Sequence, residues 1–370
     1  MDDTITELKN YAKSARYAAY EALFSARKLA NLAKITPVKM NADKPKKIRK
    51  VLLCMNRYEY GRQELGDSYE YSNNFPAIKE IKDADFFDFR EIAKKEGRAK
   101  MHASLESAAM KGDYDIILFS LMNGEFDFGK IRNISEKSSA ITMNWFADDQ
   151  WRFASFSNYW AGAFNFVATT DKAAVAKYNE LGYLNVIQTQ WGVYAPRFAP
   201  KTDFGTGIDV AFVGQAHGNR KKMINDLAKR GIDVKCFGFG WKEGRISHQQ
   251  MVDIFANAKI NISPSDSSVL FAPKQMKARF FEVAACGGFQ LAGSVEGLNS
   301  YFEEGKQIVQ YNNIGEMAEK AKYYLECEDE RKKIANAAKE RCLTEHTYAK
   351  RFEKIFAAVE ESVKMKKAPE

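Results

Sequence analysis

Short apolar runs, each giving way to a helical or polar segment, recur along this chain from Val51 to Tyr311. VLLCM, ADFFDF, YDIILFS, AITMNWF, NFVAT and NVIQTQ come first; IDVAFVG, DVKCFGF, AKINIS, GFQLAG and QIVQY follow after a break. Runs this continuous are strands buried on both faces, so the pattern predicts parallel sheets with helices as crossovers. Its repetition in two series predicts an α/β chain of two Rossmann-like domains, with ligand sites outside the carboxyl ends of the strands. At 370 residues and 45% hydrophobic content, the chain can fill two cores of ordinary size.

The break between the series is the Pro- and Gly-bearing stretch Ala195–Asp209, which sets the expected domains at 50–200 and 201–345. Residues 346–370 form a last helix, expected to cross back to the first domain. Residues 1–49 stand apart. Positions 4–34 hold no Gly or Pro and set Ile5, Leu8, Tyr11, Ala15, Ala19, Leu23 and Leu29 at helical spacing among Lys9, Lys13, Arg16, Arg27 and Lys28. This basic amphipathic helix either packs on its own protein, pairs with a second copy in a homodimer, or lies on an anionic membrane. Met40–Lys50, MNADKPKKIRK, reads as a solvated linker.

A formal net charge of +8 favours a phosphate-bearing or membrane partner. The basic residues are not interleaved with aromatics in the way that favours nucleic acid. Five cysteines form no CxxC pair, and no apolar run reaches the roughly 18–20 residues of a membrane span. The expected location is the cytoplasm, or the inner surface of its membrane.

Three stretches of the second series carry candidate chemistry. After IDVAFVG the turn runs from Gly214 through Gly218 to Arg220 and Lys221, so a phosphate could meet backbone N–H groups and countercharge; a bare strand-to-helix turn would look the same. Trp241 follows two glycines at the end of DVKCFGF, either stacking on a base or covering the domain surface. In the helix expected from Lys274 to Ala285, Glu282 is an acid among Phe280, Phe281, Val283 and Ala284, beside Arg279. Such a carboxylate needs a partner, either paired ribose hydroxyls or a neighbouring cation. Gly287 and Gly288 either cap that helix or let backbone approach a ligand.

RFFEVAACGGFQLAGSVEGLNSYFEEGKQIVQY, followed by EHTYAKRFEKI, resembles the C-terminal half of the glycosyltransferases often labelled spore-maturation (CgeB-type) proteins, similar to the broader retaining GT-B families. WFADDQWRF, TQWGVYAPRF and VGQAHGNRKK fit more loosely, and residues 1–50 have no counterpart. The resemblance implies the GT-B fold, two Rossmann-like domains facing across a cleft, here with an extra N-terminal helix. It implies transfer of a sugar from a nucleoside-diphosphate sugar to an acceptor hydroxyl, retaining rather than inverting. Glu282 falls where such enzymes bind the donor ribose, and Arg220 with Lys274 or Arg279 where cations hold the diphosphate. Where retaining members commonly carry another glutamate, eight positions before the ribose glutamate, this chain has Lys274.

Asp148 and Asp149 follow the strand AITMNWF and are the candidate bases for the acceptor proton, or else an ordinary helix cap. Four scattered histidines and the unpaired cysteines suggest no metal site, and no obligatory cofactor is expected beyond the donor substrate. The acceptor is unspecified. A catalytically quiet GT-B scaffold in surface assembly, a sugar-nucleotide epimerase and a phage-type DNA glycosyltransferase are the alternatives.

Overall fold

The computed structural model describes residues 2–30, 33–41, 43–201 and 207–365, with side chains from Leu8 onward. The side chain of Ile5 in the expected helical stripe, residues 202–206 of the expected break and the chain after Met365 lie outside what is described.

The first half runs α1 (Asp2–Leu29), β1 (Lys50–Met55), α2 (Tyr69–Ile81), β2 (Asp83–Asp88), α3 (Phe89–Met110), β3 (Ile116–Phe119), α4 (Phe128–Lys137), β4 (Ile141–Phe146), α5 (Asp149–Arg152), α6 (Asn158–Ala161), β5 (Phe166–Thr169), α7 (Lys172–Glu180) and β6 (Val186–Gln188). The second runs β7 (Val210–Val213), α8 (Arg220–Ala228), β8 (Lys235–Phe237), α9 (His248–Asn257), β9 (Ile260–Ser263), α10 (Ala278–Cys286), β10 (Gln290–Gly293), β11 (Val309–Tyr311), α11 (Ile314–Glu326), α12 (Glu328–Glu345) and α13 (Tyr348–Met365).

The eleven apolar runs form two all-parallel sheets, ordered β2-β1-β3-β4-β5-β6 and β11-β10-β9-β7-β8. Each sheet reverses direction once, between β1 and β3 and between β7 and β9, which is where open α/β sheets bind ligands. The inner strands β3, β4, β5, β7, β9 and β10 are buried at every residue.

Two compact units result, one of Ala19–Gln190 with Tyr348–Glu370, the other of Met1–Ala18 with Trp191–Thr347. The chain changes unit ahead of the Pro- and Gly-bearing stretch. In the first unit α13 packs on α2 and β4: Tyr348 meets Trp145 and Tyr69 edge to face, and the Tyr348 hydroxyl bonds that of Tyr69 at 3.2 Å.

The expected linker is corrected. Ile48 is buried, and so is Lys44, whose ammonium donates to the carbonyls of Ser135 (2.8 Å), Ser138 (3.1 Å) and Ala140 (2.5 Å) at the end of α4. Helix ends leave carbonyls unpaired and partly negative, so a lysine answers them there. Asn41 reaches the carbonyl of Ser138 as well. A basic segment that sequence reads as solvated is thus sewn onto the unit by one helix terminus.

The helix expected from Lys274 starts later, at Ala278. Pro273 comes just before, and the Gln275 N–H donates to the Ser265 carbonyl at 2.9 Å, so residues 274–277 run as an extended loop.

Candidate donor site

The carboxyl ends of β7, β9, β10 and β11 open on a cavity of about 440 Å³ within the second unit. His217, Arg220 and Lys222 line it from the β7–α8 turn, Ser265, Asp266 and Lys274 from the loop after β9, and Tyr311 and Asn312 from the end of β11. It sits at the point where the sheet order reverses, as the pattern of strands predicts.

Gly214 ends β7 with its N–H on the Phe237 carbonyl at 2.8 Å, and a Cβ there would strike the Arg279 guanidinium. The glycine therefore makes room for a cation rather than merely for a turn. Arg220 begins α8, nearly buried, and donates to the Gln215 carbonyl at 2.8 Å. Arg220 and Arg279 both lie over the Phe212 ring. Asn219, the N-cap of α8, makes no side-chain cap, which leaves that helix terminus open to an anion.

The electrostatics are lopsided. Burial pushes Arg220 down to about 9, with the like charge of Arg279 acting in the same sense. Arg279 is lowered by burial, against the pull of Glu282. His217 is driven to about 3 by burial and then by Arg220, Lys277, Lys13 and Arg279, so it is neutral. Guanidinium stays protonated under these costs, and a bound anion would relieve them. Arg279 Nε, His217 Nδ1 and the Tyr311 hydroxyl are buried without hydrogen-bond partners among the described residues. The site thus has surplus positive charge and unused polar atoms.

Glu282 stands on α10, one turn beyond Arg279. Burial raises its pKa while Arg279 and Arg197 pull it down, and its carboxylate accepts no hydrogen bond among the described residues. Neither Glu282 nor Arg279 is among the residues that line the cavity.

Other expected residues lie elsewhere. Trp241 does not line the cavity; its indole N–H donates to the Gly214 carbonyl at 2.7 Å and its ring meets Phe212 edge to face, bracing the turn from behind. Lys222, not Lys221, reaches the cavity, because residues one apart on a helix face different ways. Gly287 and Gly288 are at the opposite end of the sheet: α10 runs back along the strands, so its C-terminus meets the start of β10. Gly287 is the left-handed C-cap of α10 at φ 80°, and a Cβ at Gly288 would strike the Phe255 carbonyl.

Asp149 is corrected too. It is fully buried at the start of α5, accepts from the Tyr178 hydroxyl at 3.1 Å, and is pushed up to about 7 by burial. Its carboxylate faces the core and cannot take a proton from an acceptor. Asp148, the preceding residue, is half-buried beyond the end of β4 and makes no cap. Among the described residues no three His, Cys, Asp or Glu side chains gather as a metal site.

His217, Tyr311 and Asn312 were not marked by sequence. The Asn-Asn pair between an apolar strand and a helix was the available signal for the β11 end.

Residues 220–357 match a family described as glycosyl transferase-like. Among curated proteins none matches by sequence. By structure the chain is similar to the HepE protein of Anabaena, solved with UDP and glucose (TM-score 0.57, 13% identity, 86% of this chain and 100% of that one). It is similar to sucrose-phosphate synthase of Thermosynechococcus elongatus (TM-score 0.59, 10% identity, 86% and 98%). A DNA-modifying beta-glucosyltransferase gives a TM-score of 0.55 at 13% identity, over 85% and 99% of the two chains. Two parallel sheets of Rossmann type give the chain the GT-B fold, and its second half, from residue 220, matches the glycosyl transferase-like family. The CgeB-type branch stays a resemblance.

Proposed function

We propose that the chain moves a sugar from a nucleoside-diphosphate sugar to an acceptor hydroxyl, with no obligatory metal ion or cofactor. The observation that carries this reading is the surplus of buried positive charge at the carboxyl ends of β7 and β9, where Arg220 and Arg279 share one ring. A diphosphate fits that charge, and the same cations would stabilise it as it departs, the task a divalent ion performs elsewhere. Lys274 adds charge from the loop after β9, and Glu282 would accept from the donor's ribose hydroxyls. UDP in the similar Anabaena protein makes uracil the first base to try. Asp148 is the proposed base, activating an acceptor whose class is open: glycan, lipid-linked, protein or other. We assign retention of configuration on the resemblance to retaining families: the acceptor oxygen then bonds the anomeric carbon on the face that the diphosphate leaves, and its proton passes to Asp148.

The five cysteines are unpaired, which supports a reducing, cytoplasmic setting. No described helix is long and apolar enough to cross a membrane. Lys274, standing where a glutamate is common, favours one second reading, a nucleotide-binding scaffold without transfer activity.

A thermal-shift panel of UDP, GDP, CDP, ADP and TDP, with and without EDTA, tests the donor site. One nucleotide should raise the unfolding temperature regardless of EDTA, and Glu282→Ala should abolish the shift. No shift with any nucleotide at millimolar concentration would sink the donor reading. Binding without donor hydrolysis or transfer to any acceptor would favour the scaffold. NMR of the product's anomeric proton decides the stereochemistry.

A further inference from the structure

The outward side of α1 carries a feature the donor site does not use. Leu8, Tyr11, Ala15, Ala19 and Leu23 recur every three or four residues, all exposed, and Leu29, 87% exposed, continues the same side. Lys9, Arg16 and Arg27 are exposed along one flank of this stripe, and no ion pair engages them among the described residues. The inward side is anchored: Lys13 donates to the Ser268 hydroxyl at 2.6 Å, and the Leu270 N–H donates to the Ser14 hydroxyl at 2.9 Å. The next residue, Phe271, is 93% exposed and held at φ 67°, a costly conformation for a bulky side chain. A helix so fixed, with its apolar side turned out, has a surface to cover.

We propose that this face of α1 docks on an anionic lipid surface. Exposed leucines and a tyrosine would enter the headgroup boundary while the flanking cations meet negative headgroups. A second copy suits the face less well. The other acids of α1, Asp2, Asp3 and Glu7, stand together at its start, and between Leu8 and Ala30 the only acid is Glu21, which is half-buried, so a partner helix would offer too few acids to answer Lys9, Arg16 and Arg27 together. Nucleic acid would use the cations but leave the apolar stripe in water. The proposal goes beyond sugar transfer and does not rest on it.

Co-sedimentation of the full chain with phosphatidylcholine vesicles, with and without phosphatidylglycerol, tests it. Binding should rise on the order of tenfold or more with the anionic lipid, since each cation near such a surface contributes, and should fall as salt is added. Leu8→Ser with Leu23→Ser, and separately Arg16→Glu with Arg27→Glu, should each lose that binding while the unfolding temperature and the nucleotide shift stay at wild-type values. Equal binding to neutral and anionic vesicles, or full binding by both variants, overturns the proposal. So does a dimer in light scattering that the Leu8 and Leu23 variant dissolves without any vesicle binding. Binding to duplex DNA in place of vesicles, lost in the Arg16 and Arg27 variant, reassigns the face to nucleic acid.

Discussion

Arg220 and Arg279 share a ring: their guanidinium carbons stand 5.3 and 5.1 Å from the centre of Phe212. Aromatic faces attract cations, which offsets part of the repulsion between two like charges held so close. Replacing either arginine by alanine should weaken nucleoside-diphosphate binding roughly 10- to 100-fold, the range for losing a charged hydrogen bond of about 1.5–3 kcal/mol. Stability of the empty protein should change little, because the same substitution removes a like-charge contact. Titration calorimetry with the nucleotide of the thermal-shift panel checks this, and undiminished affinity in both variants would remove the pair from the site. Arg279→Lys keeps the charge but not the planar fork, so it should recover only part of the loss.

Asp149 gives a prediction in pH. The folded protein keeps its proton up to about pH 7, whereas the unfolded chain releases it near 3.8. Between those values the folded state binds more protons, so this group's contribution to stability is full below about pH 4 and is lost as pH rises towards 7. In Asp149→Asn that loss disappears. The variant should gain on wild type by on the order of 2–4 kcal/mol between pH 4 and pH 8, measured by urea unfolding at each pH. A constant difference would mean Asp149 is not buried as a protonated acid.

Asp148→Asn, by contrast, should slow sugar transfer while leaving donor binding intact. General base catalysis contributes typically 10²- to 10⁴-fold, and the rate constant should fall within that range once an acceptor is found. A variant as active as wild type would pass the role to another residue.

Gly288→Ala separates packing from binding at the far end of the sheet. A methyl group there meets the Phe255 carbonyl, which is backbone and cannot swing aside, so destabilisation of about 1–3 kcal/mol is expected. Nucleotide affinity of the folded fraction should match wild type. A selective loss of affinity would return Gly288 to the donor site.

Strand identity was legible because strands buried on both faces read as short, largely apolar runs, and all eleven runs became strands. Gly214 and Arg220 were marked by the turn after an apolar strand and Glu282 by its apolar neighbours, whereas the diphosphate role of Arg220, Lys274 and Arg279 came from the family resemblance. What the sequence could not separate was one end of a helix from the other in space: Arg279 and Gly288 are close in number, yet α10 carries them to opposite edges of the sheet. Asp148 and Asp149 show the same limit at shorter range, since adjacent residues at a helix start face solvent and core. Trp241 was ambiguous for another reason. Its indole is spent on the Gly214 carbonyl, a long-range bond that no local pattern announces.

Lys44 has a practical bearing on how the chain can be cut. Ile35 and Val38 are buried, the Ile35 N–H bonds the Leu181 carbonyl at 2.9 Å, and Lys44 closes the end of α4. A truncation that discards everything before β1 would strip a lysine from three carbonyls and open an apolar seam on the first unit. The last turns of α1 belong to this unit too, with Phe24 edge to face on Phe153, so a shortened protein that keeps the first unit whole must begin no later than Ala19.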